Sequence, residues 1–360
     1  MMKMSSRSRL ATAIALPMSA FLLVACASGE APAPAGGADD TSEETTEEVE
    51  AGSDNPEVTL RIASTPGTAD PVYYCGLEVL EEQVESAGVG ISIDLFPESQ
   101  LGPDTERFPA LQAGDIDIDL QGASALSNSY PLIGTLDAAY VFDNVDHKFD
   151  WIDNNSDELF QGWEEATGTT ILNGWLFGLR TFSSTEPIYG PDDLASLRIR
   201  FPNSPAFIAN AEALGANPVS IAFEEVYNAL STGLAEGQET PVATTNAQSF
   251  NEPLSYVSLN NHQVGIQWLV MNTEKLNSLT DEQRDVLVGA IGDIRTSHRQ
   301  CLEDATQDIL DEWTSSGEMT VIPTEEIDME AFISGAEAYF SENFEGEQLE
   351  LYQSIRATAP

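Results

Sequence analysis

The segment PDDLASLRIRFP, residues 191–202, contains the pattern that decides the fold. Apolar side chains alternate there with arginines, in the order Leu197, Arg198, Ile199, Arg200, Phe201. This period of two predicts a strand with its apolar residues on one face and both arginines on the other. Pro202 has no backbone N–H, so the strand ends just after Arg200. At that end, facing a cleft, a guanidinium group can hold a carboxylate through two parallel hydrogen bonds. Alternatively, both arginines pair with surface carboxylates.

Similar patterns extend to both sides of this segment. They predict further strands at residues 58–63, 91–96, 116–120, 170–176 and 256–259. Helical spacing falls between them, at residues 72–86, 108–112 and 223–234, and over one long stretch at 280–314. Strands that alternate with helices are typical of a parallel α/β sheet. About 305 residues follow residue 55, too many for one compact core, so we expect two lobes with a ligand between them.

The N-terminus has the features of an export signal. Basic residues at Lys3, Arg7 and Arg9 precede an apolar stretch at 10–24, which is shorter than the ~20 residues of a membrane-spanning helix. The stretch ends in LVAC, residues 23–26, which resembles the lipobox of bacterial lipoproteins. The resemblance implies that residues 1–26 form a lipoprotein signal peptide and that Cys26 is lipidated. An ordinary signal peptide with an incidental cysteine is the alternative.

Residues 27–55 have a composition that does not suit a packed core. They are rich in Ala, Pro, Gly, Thr and Glu, with almost no large apolar side chain. Such a segment buries too little surface to offset the entropy of ordering it, which predicts a disordered acidic tether. A flexible chain of ~30 residues spans roughly 30 Å, enough to hold a folded body just off a membrane.

The charge of the chain is extreme. It has 60 acidic residues against 14 basic ones, a formal net charge of -46. Clustered cations, which phosphate binding needs, are absent, so nucleic acid is excluded as a partner. A carboxylate-rich surface with three lysines predicts a halophilic protein, because molar salt screens the self-repulsion to within ~3 Å. A merely acidic mesophilic protein is the alternative.

Cysteines and histidines are few. Cys75 and Cys301 remain after the signal, and outside the cytoplasm they either form a disulfide or stay as buried thiols. The three histidines, His147, His262 and His298, are scattered and do not combine with cysteines at metal-ligand spacing. The sequence therefore predicts neither a metal site nor a cofactor.

Seven fragments together resemble one family. In the second half they are GLRTF (178–182), PDDLASLRIRFP (191–202), LGANP (214–218), EVYNAL (225–230) and GQETP (237–241). In the first half they are SQLG (99–102) and LQAGDID (111–117). Their order and spacing resemble the DctP-type extracytoplasmic binding proteins of TRAP (tripartite ATP-independent periplasmic) transporters, over about residues 58–325.

The resemblance implies a fold and a function. The fold is α/β, two-lobed and of the class II periplasmic-binding-protein type, with an interlobe cleft and a long C-terminal helix that bridges the lobes. Lobe I is expected at 56–177 plus 266–305, lobe II at 178–265 plus 306–360, and the hinge near Phe177 and Gln267. The function is to bind a small mono- or dicarboxylate outside the cytoplasm, anchored by lipid, and to deliver it to the small and large membrane subunits. The sequence leaves the oligomeric state open.

The resemblance also assigns roles to individual residues. Arg200 holds the ligand carboxylate and Arg180 lies near it. The other positions that the resemblance places at the ligand are Thr65, Asp104, Phe223, Thr240, Gln267 and Trp268, with Glu239 behind an arginine. Asp104 as a helix N-cap and Phe223 as core packing are alternatives. Thr240 stands where the family has asparagine, and Gly122 where sialic-acid binders carry an acid. Both changes remove polar contacts, which disfavours a polyhydroxylated sugar acid.

Other functions fit the sequence less well. An ABC-type solute-binding lipoprotein shares the fold and export signal, and only the family fragments separate it. A ligand-sensing surface module would more often carry a spanning helix or a signalling domain. No nucleophile–base motif such as Gly-x-Ser-x-Gly is present, so we predict that the protein is not an enzyme.

Overall fold

The computed structural model describes residues 55–360. The predicted export signal, the lipid attachment at Cys26 and the tether up to residue 54 lie outside the described residues. Within the described part, no helix combines the length and the apolar character that crossing a bilayer requires.

The first lobe is built on three parallel strands. These are β1 (Val58–Ser64), β2 (Ile91–Phe96) and β3 (Ile118–Gly122), with β1 between the other two. Leu60, Ile62 and Ile93 point into the core, as the alternating pattern predicts. A π-helical turn (Tyr73–Leu77) leads into α1 (Glu78–Ser86), and α2 (Asp104–Ala113) precedes β3.

Two long antiparallel strands run from the first lobe into the second. They are β4 (Thr169–Ser184) and β8 (Tyr256–Asn272), paired from Thr169–Asn272 to Ser184–Tyr256. The sequence predicted only one end of each, because glycines and polar residues interrupt the apolar pattern. These glycines permit close approach: a Cβ on Gly174 would lie 2.6 Å from Ile266 Cγ2, and one on Gly265 would lie 2.9 Å from the Gly178 carbonyl oxygen.

The second lobe extends the sheet with three further strands. They are β5 (Arg198–Phe201), β6 (Asn217–Ser220) and β7 (Gly237–Pro241). With β9 (Thr320–Ile322) paired to β8, the described residues form a nine-stranded sheet in the order β2-β1-β3-β8-β4-β7-β5-β6. The α/β fold is confirmed, with parallel pairing within each lobe, whereas β3, β4, β7 and β8 pair antiparallel where the chain crosses between lobes, which the strand–helix alternation did not predict.

The remaining helices cover the sheet and close the two cores. In chain order they are α3 (Ala123–Leu126), α4 (Val145–Asn155), α5 (Asp157–Thr167), α6 (Pro191–Ala195), α7 (Pro205–Ala213), α8 (Val226–Ser231), α9 (Val242–Ala247), α10 (Thr273–Ser278), α11 (Asp281–Ser316), α12 (Met329–Asn343) and α13 (Gly346–Arg356). A large apolar cluster fills the first lobe and extends past the crossing strands, and a smaller one lies under α8 and β9.

The long helix α11 contacts both lobes. It starts with a capping box, in which Thr280 and Gln283 satisfy each other's backbone N–H groups, and it ends at Gly317. Its 36 residues, about 54 Å at 1.5 Å per residue, pack on α1 and β4 near one end and on β9 near the other. The structure also pairs Cys75 with Cys301, which joins the π-helical turn to this helix.

Candidate functional site

A cavity of about 620 Å³ opens between the lobes. The loop after β1, the start of α2 and the end of β3 line it from the first lobe, and the ends of β5 and β7 line it from the second. This is the edge where open α/β sheets bind ligands, because strands end there and expose convergent polar groups.

Arg200 lines this cavity from the end of β5. Leu197, Ile199 and Phe201 are buried on the opposite side of the strand, as predicted, and Arg198 is exposed. Arg200 is only 2% exposed, and Nε donates to the Ile221 carbonyl oxygen at 2.9 Å. Within residues 55–360 its guanidinium forms no further hydrogen bond and no ion pair. Burial lowers its pKa to about 10, and nearby carboxylates oppose the shift, so the group is cationic at neutral pH.

Arg180 lies on β4 beside the cavity but has a carboxylate partner. Its Nε and Nη2 atoms donate to the two carboxylate oxygens of Glu239 at 2.6 and 2.8 Å. The guanidinium also stacks on Phe207, with its carbon 4.9 Å from the ring centroid. Burial works against ionisation of Glu239, yet Arg180 and a hydrogen bond from His262 hold the pKa of Glu239 below its usual value.

Thr65 and Asp104 meet at the first-lobe wall. Thr65 Oγ1 donates to Asp104 Oδ1 at 2.6 Å, and Arg107 Nη2 donates to the same oxygen at 2.8 Å. Asp104 is the first residue of α2, and Pro103 occupies the N-cap position, so the alternative interpretation of Asp104 as an N-cap is wrong.

Arg107 is a functional candidate that the sequence analysis did not single out. It is fully buried behind Asp104, and its Nε donates to the buried carboxylate of Asp119 at 2.9 Å. Its Nη1 donates to the Gly102 carbonyl oxygen at 3.0 Å, which fixes the loop at the cavity mouth. A signal for it existed, because the chain has only 14 basic residues and any buried one is conspicuous.

Phe223, Thr240, Gln267 and Gly122 also line the cavity. The Phe223 ring centroid lies 5.9 Å from the guanidinium carbon of Arg200, and the ring packs edge-on against Phe250. Gln267 pairs with Gly122 across β8 and β3, and its side-chain oxygen is buried without a hydrogen-bond donor in the described part of the chain.

Trp268 does not line the cavity. Successive residues of a strand face opposite ways, and Gln267 faces the cavity. Trp268 is fully buried on the other face of β8, with its ring 5.3 Å from that of Phe160. The prediction that it contacts ligand is corrected to a core-packing position.

Two side-chain hydrogen bonds join the lobes beside the cavity. Ser99 Oγ donates to Glu224 Oε1 at 2.7 Å, and Thr244 Oγ1 donates to Asp70 Oδ2 at 2.9 Å. Asp70 is fully buried and also accepts from the Val72 amide. Burial raises its pKa to about 6, although both hydrogen bonds lower it.

No group of three or more potential metal-ligating side chains occurs among residues 55–360. The groups that line the cavity are arginines, carboxylates, hydroxyls, side-chain amides and aromatic rings. Such a set binds and orients a small polar molecule.

Comparison with known proteins gives consistent matches. Residues 63–347 match the profile of DctP, described as bacterial extracellular solute-binding protein, family 7. The chain is 27% identical to the 2,3-diketo-L-gulonate-binding periplasmic protein of Escherichia coli, over 67% of this chain and 73% of that one. It is 29% identical to the C4-dicarboxylate-binding periplasmic protein of Rhodobacter capsulatus, over 61% and 66%.

A solved structure shares the fold. It is a TRAP periplasmic solute-binding protein of Roseobacter denitrificans with bound L-galactonate, which superimposes with a TM-score of 0.76 over 84% of this chain and 99% of that one, at 24% identity.

Proposed function

Because the chain belongs to the DctP family of bacterial extracellular solute-binding proteins, which serve TRAP transporters, we propose that its interlobe cavity holds a small organic acid by a carboxylate on Arg200. Family membership makes the protein an extracytoplasmic binding subunit of a transporter and not an enzyme. No feature of the comparisons favours an ABC-type transporter or a sensing module.

The observation that carries the proposal is the state of Arg200. A buried cation without a counter-ion is unfavourable, and a carboxylate that arrives with suitable geometry removes that penalty. Arg180 is already paired with Glu239, so its role is to shape the cavity and support the positive potential around the ligand. Thr65, Asp104, Phe223, Thr240 and Gln267 then contact the rest of the molecule.

The test is ligand-induced thermal stabilisation in molar salt, with a panel of mono- and dicarboxylates and neutral sugars. We expect one or more acids to stabilise the wild type and to lose at least a hundredfold in affinity in Arg200→Ala. Arg198→Ala is the matched control, because Arg198 lies on the same strand, is exposed and stays outside the cavity. Unchanged affinity in Arg200→Ala, or stabilisation only by neutral sugars, would contradict the proposal.

Ligand capture is proposed to proceed by closure of the lobes. Their predicted boundaries, 56–177 plus 266–305 and 178–265 plus 306–360, meet near Phe177 and Gln267. A break in the pairing of β4 and β8 between Leu176 and Gly178 supports a hinge at this point. A ligand that contacts both lobes favours the closed state by its differential contacts. Small-angle scattering should show a smaller radius of gyration with ligand; an unchanged radius would argue against closure.

Anchoring and salt adaptation are further parts of the proposal. The LVAC segment supports lipidation at Cys26, and the acidic segment after it supports a tether between the lipid and the binding body. Detergent phase partitioning of the expressed protein tests this: the wild type should enter the detergent phase and Cys26→Ala should not. The low lysine content and net charge of -46 support function in high salt.

A further inference from the structure

The charged groups around the cavity do not balance. Asp104 and Glu224 line it together with Arg180 and Arg200. Behind the wall, Glu239 neutralises Arg180, while Arg107 is shared between two carboxylates. When the charged lining groups are counted with the ion-paired groups directly behind them, three guanidinium groups stand against four carboxylates, which are Asp104, Asp119, Glu224 and Glu239.

Two carboxylates of this set, Asp104 and Glu224, line the cavity itself. Burial lowers the pKa of Arg200, and both Asp104 and Glu224 act in the opposite direction, so both are close enough to interact with the guanidinium. A first carboxylate seated on Arg200 uses the lining cation that has no ion-pair partner within residues 55–360. A second carboxylate would meet Asp104 and Glu224 in a site of low dielectric, where like charges repel strongly.

The same wall has acceptors that lack donors. Asp104 Oδ1 accepts from Thr65 and Arg107, but Oδ2 accepts no hydrogen bond within residues 55–360, and the side chain is 40% exposed. Gln267 is 8% exposed, and its Oε1 has no donor in that same range. Both oxygens can accept from a hydroxyl or ammonium group of a ligand, and the buried oxygen of Gln267 has the greater need of a donor.

From this arrangement we infer that the cavity selects a monocarboxylate whose distal end carries a hydroxyl or ammonium group, and that Asp104 and Glu224 exclude dicarboxylates. The inference rests on the proposed carboxylate contact at Arg200 and narrows it. It also sets this chain apart from its relative named for C4-dicarboxylates.

A matched series of acids tests the inference. At a chain length of four carbons the probes are succinate, 4-hydroxybutyrate and 4-aminobutyrate, which share one carboxylate and differ only in the distal group. Adipate, 6-hydroxyhexanoate and 6-aminohexanoate repeat the series at six carbons. Calorimetry in 2 M NaCl suppresses the field of the distant surface charges and leaves the contacts inside the cavity.

We expect the hydroxy or amino acid to bind at least tenfold more tightly than the diacid of the same length. In the double variant Asp104→Asn/Glu224→Gln, the ratio of the affinity for the hydroxy or amino acid to the affinity for the diacid should fall by at least tenfold. Both replacements keep an oxygen that accepts from Thr65 or Ser99, and a melting curve checks that the fold survives. Glu224→Gln alone, which leaves Arg107 fully paired, should move the ratio in the same direction.

The matched control is Glu225→Gln/Asp285→Asn, which removes the same two charges from exposed positions outside the cavity. It should leave the ratio unchanged. The inference is overturned if the wild type binds the diacid as tightly as the other acids, or if the cavity variants do not change the ratio of affinities. Either result leaves the proposed carboxylate contact at Arg200 intact. Failure of every acid to bind the wild type counts against the proposed function itself.

Discussion

Arg180 and Arg200 line the same cavity, yet their partners assign them different tasks. Arg180 donates to both carboxylate oxygens of Glu239, so a ligand that competed for it would have to break a buried ion pair. Arg200 has only one backbone acceptor within residues 55–360 and is as deeply buried. Of these two arginines, Arg200 is therefore the one for which we propose the carboxylate contact.

Asp70 makes the first prediction at this scale, a dependence of stability on pH. Burial raises the pKa of its carboxyl from 3.8 to about 6, so the folded protein takes up a proton near pH 6 that the unfolded chain binds only near pH 4. The contribution of Asp70 to the free energy of unfolding is therefore greatest below pH 4. It decreases by about 3 kcal/mol in all as the pH rises from about 4 through about 6. Asp70→Asn should gain stability relative to the wild type at pH 7 and not at pH 4.

The measurement is the free energy of unfolding in denaturant at fixed high salt, taken as the difference between variant and wild type at each pH. Taking this difference cancels the contribution of the many surface carboxylates that titrate equally in both proteins. Asp285→Asn, at an exposed position on α11, should show no such change with pH. A difference between Asp70→Asn and wild type that stays constant from pH 4 to 7 would disprove the assignment.

What the sequence could predict about the site depended on pattern and on family resemblance together. Alternation placed Arg198 and Arg200 on one face of β5, and the strand end at Pro202 together with the resemblance selected Arg200, which is buried at the cavity. The same alternation places Gln267 and Trp268 on opposite faces of β8, so only one of them can face the cavity. The prediction that both contact the ligand ignored this alternation. Arg107 was missed because its second partner, Asp119, lies on β3 and is brought to it only by the fold, although Asp104 lies three residues before it on α2.

At the scale of elements, the crossing strands β4 and β8 were the hardest to predict and matter most for movement. Period-two patterns predicted the bounds of β1, β2 and β5 to within one residue, since each strand has one apolar face. The 16 and 17 residues of β4 and β8 are buried on both faces near the lobe junction, where glycines replace apolar residues to let the backbones approach. Such glycines interrupt the alternation of apolar residues, so the sequence pattern predicted only part of each strand.

Gly265 gives the prediction at this scale. A Cβ there would lie 2.9 Å from the backbone oxygen of Gly178, which cannot move away as a flexible side chain would. We expect Gly265→Ala to lower the free energy of unfolding by about 1–3 kcal/mol, as overpacking does, and to weaken the compaction on ligand binding.

The control for this prediction is Gly289→Ala on α11, where a Cβ meets no atom within 4 Å. Alanine is the better helix former, so this variant should gain up to about 1 kcal/mol. The measurement is the free energy of unfolding of both variants in denaturant at the same salt concentration. Equal effects of the two substitutions would show that the junction accommodates a side chain freely.

For the whole molecule, the formal charge of -46 sets the conditions under which an anion can enter. If residues 1–25 are removed, three basic residues and no acidic ones are lost, and the charge becomes -49. At 0.1 M salt this field extends ~10 Å beyond the surface and repels an anionic ligand before it reaches Arg200. At 1 M it extends ~3 Å, while the contact inside the closed cavity is screened much less.

The last prediction follows from this difference in range. Between 0.3 and 2 M NaCl, the association rate of a ligand with net charge, such as 4-hydroxybutyrate, should rise several-fold while its dissociation rate changes little. The rate for 4-aminobutyrate, which carries no net charge, should stay nearly constant, so the pair separates ligand repulsion from effects of salt on the protein. Stopped-flow tryptophan fluorescence measures both rates, and circular dichroism confirms that the fold persists at each salt concentration. A charged ligand that binds more slowly as salt increases would mean that local attraction at the cavity mouth outweighs the field of the whole body, and entry would then be steered by the arginines rather than opposed by the surface.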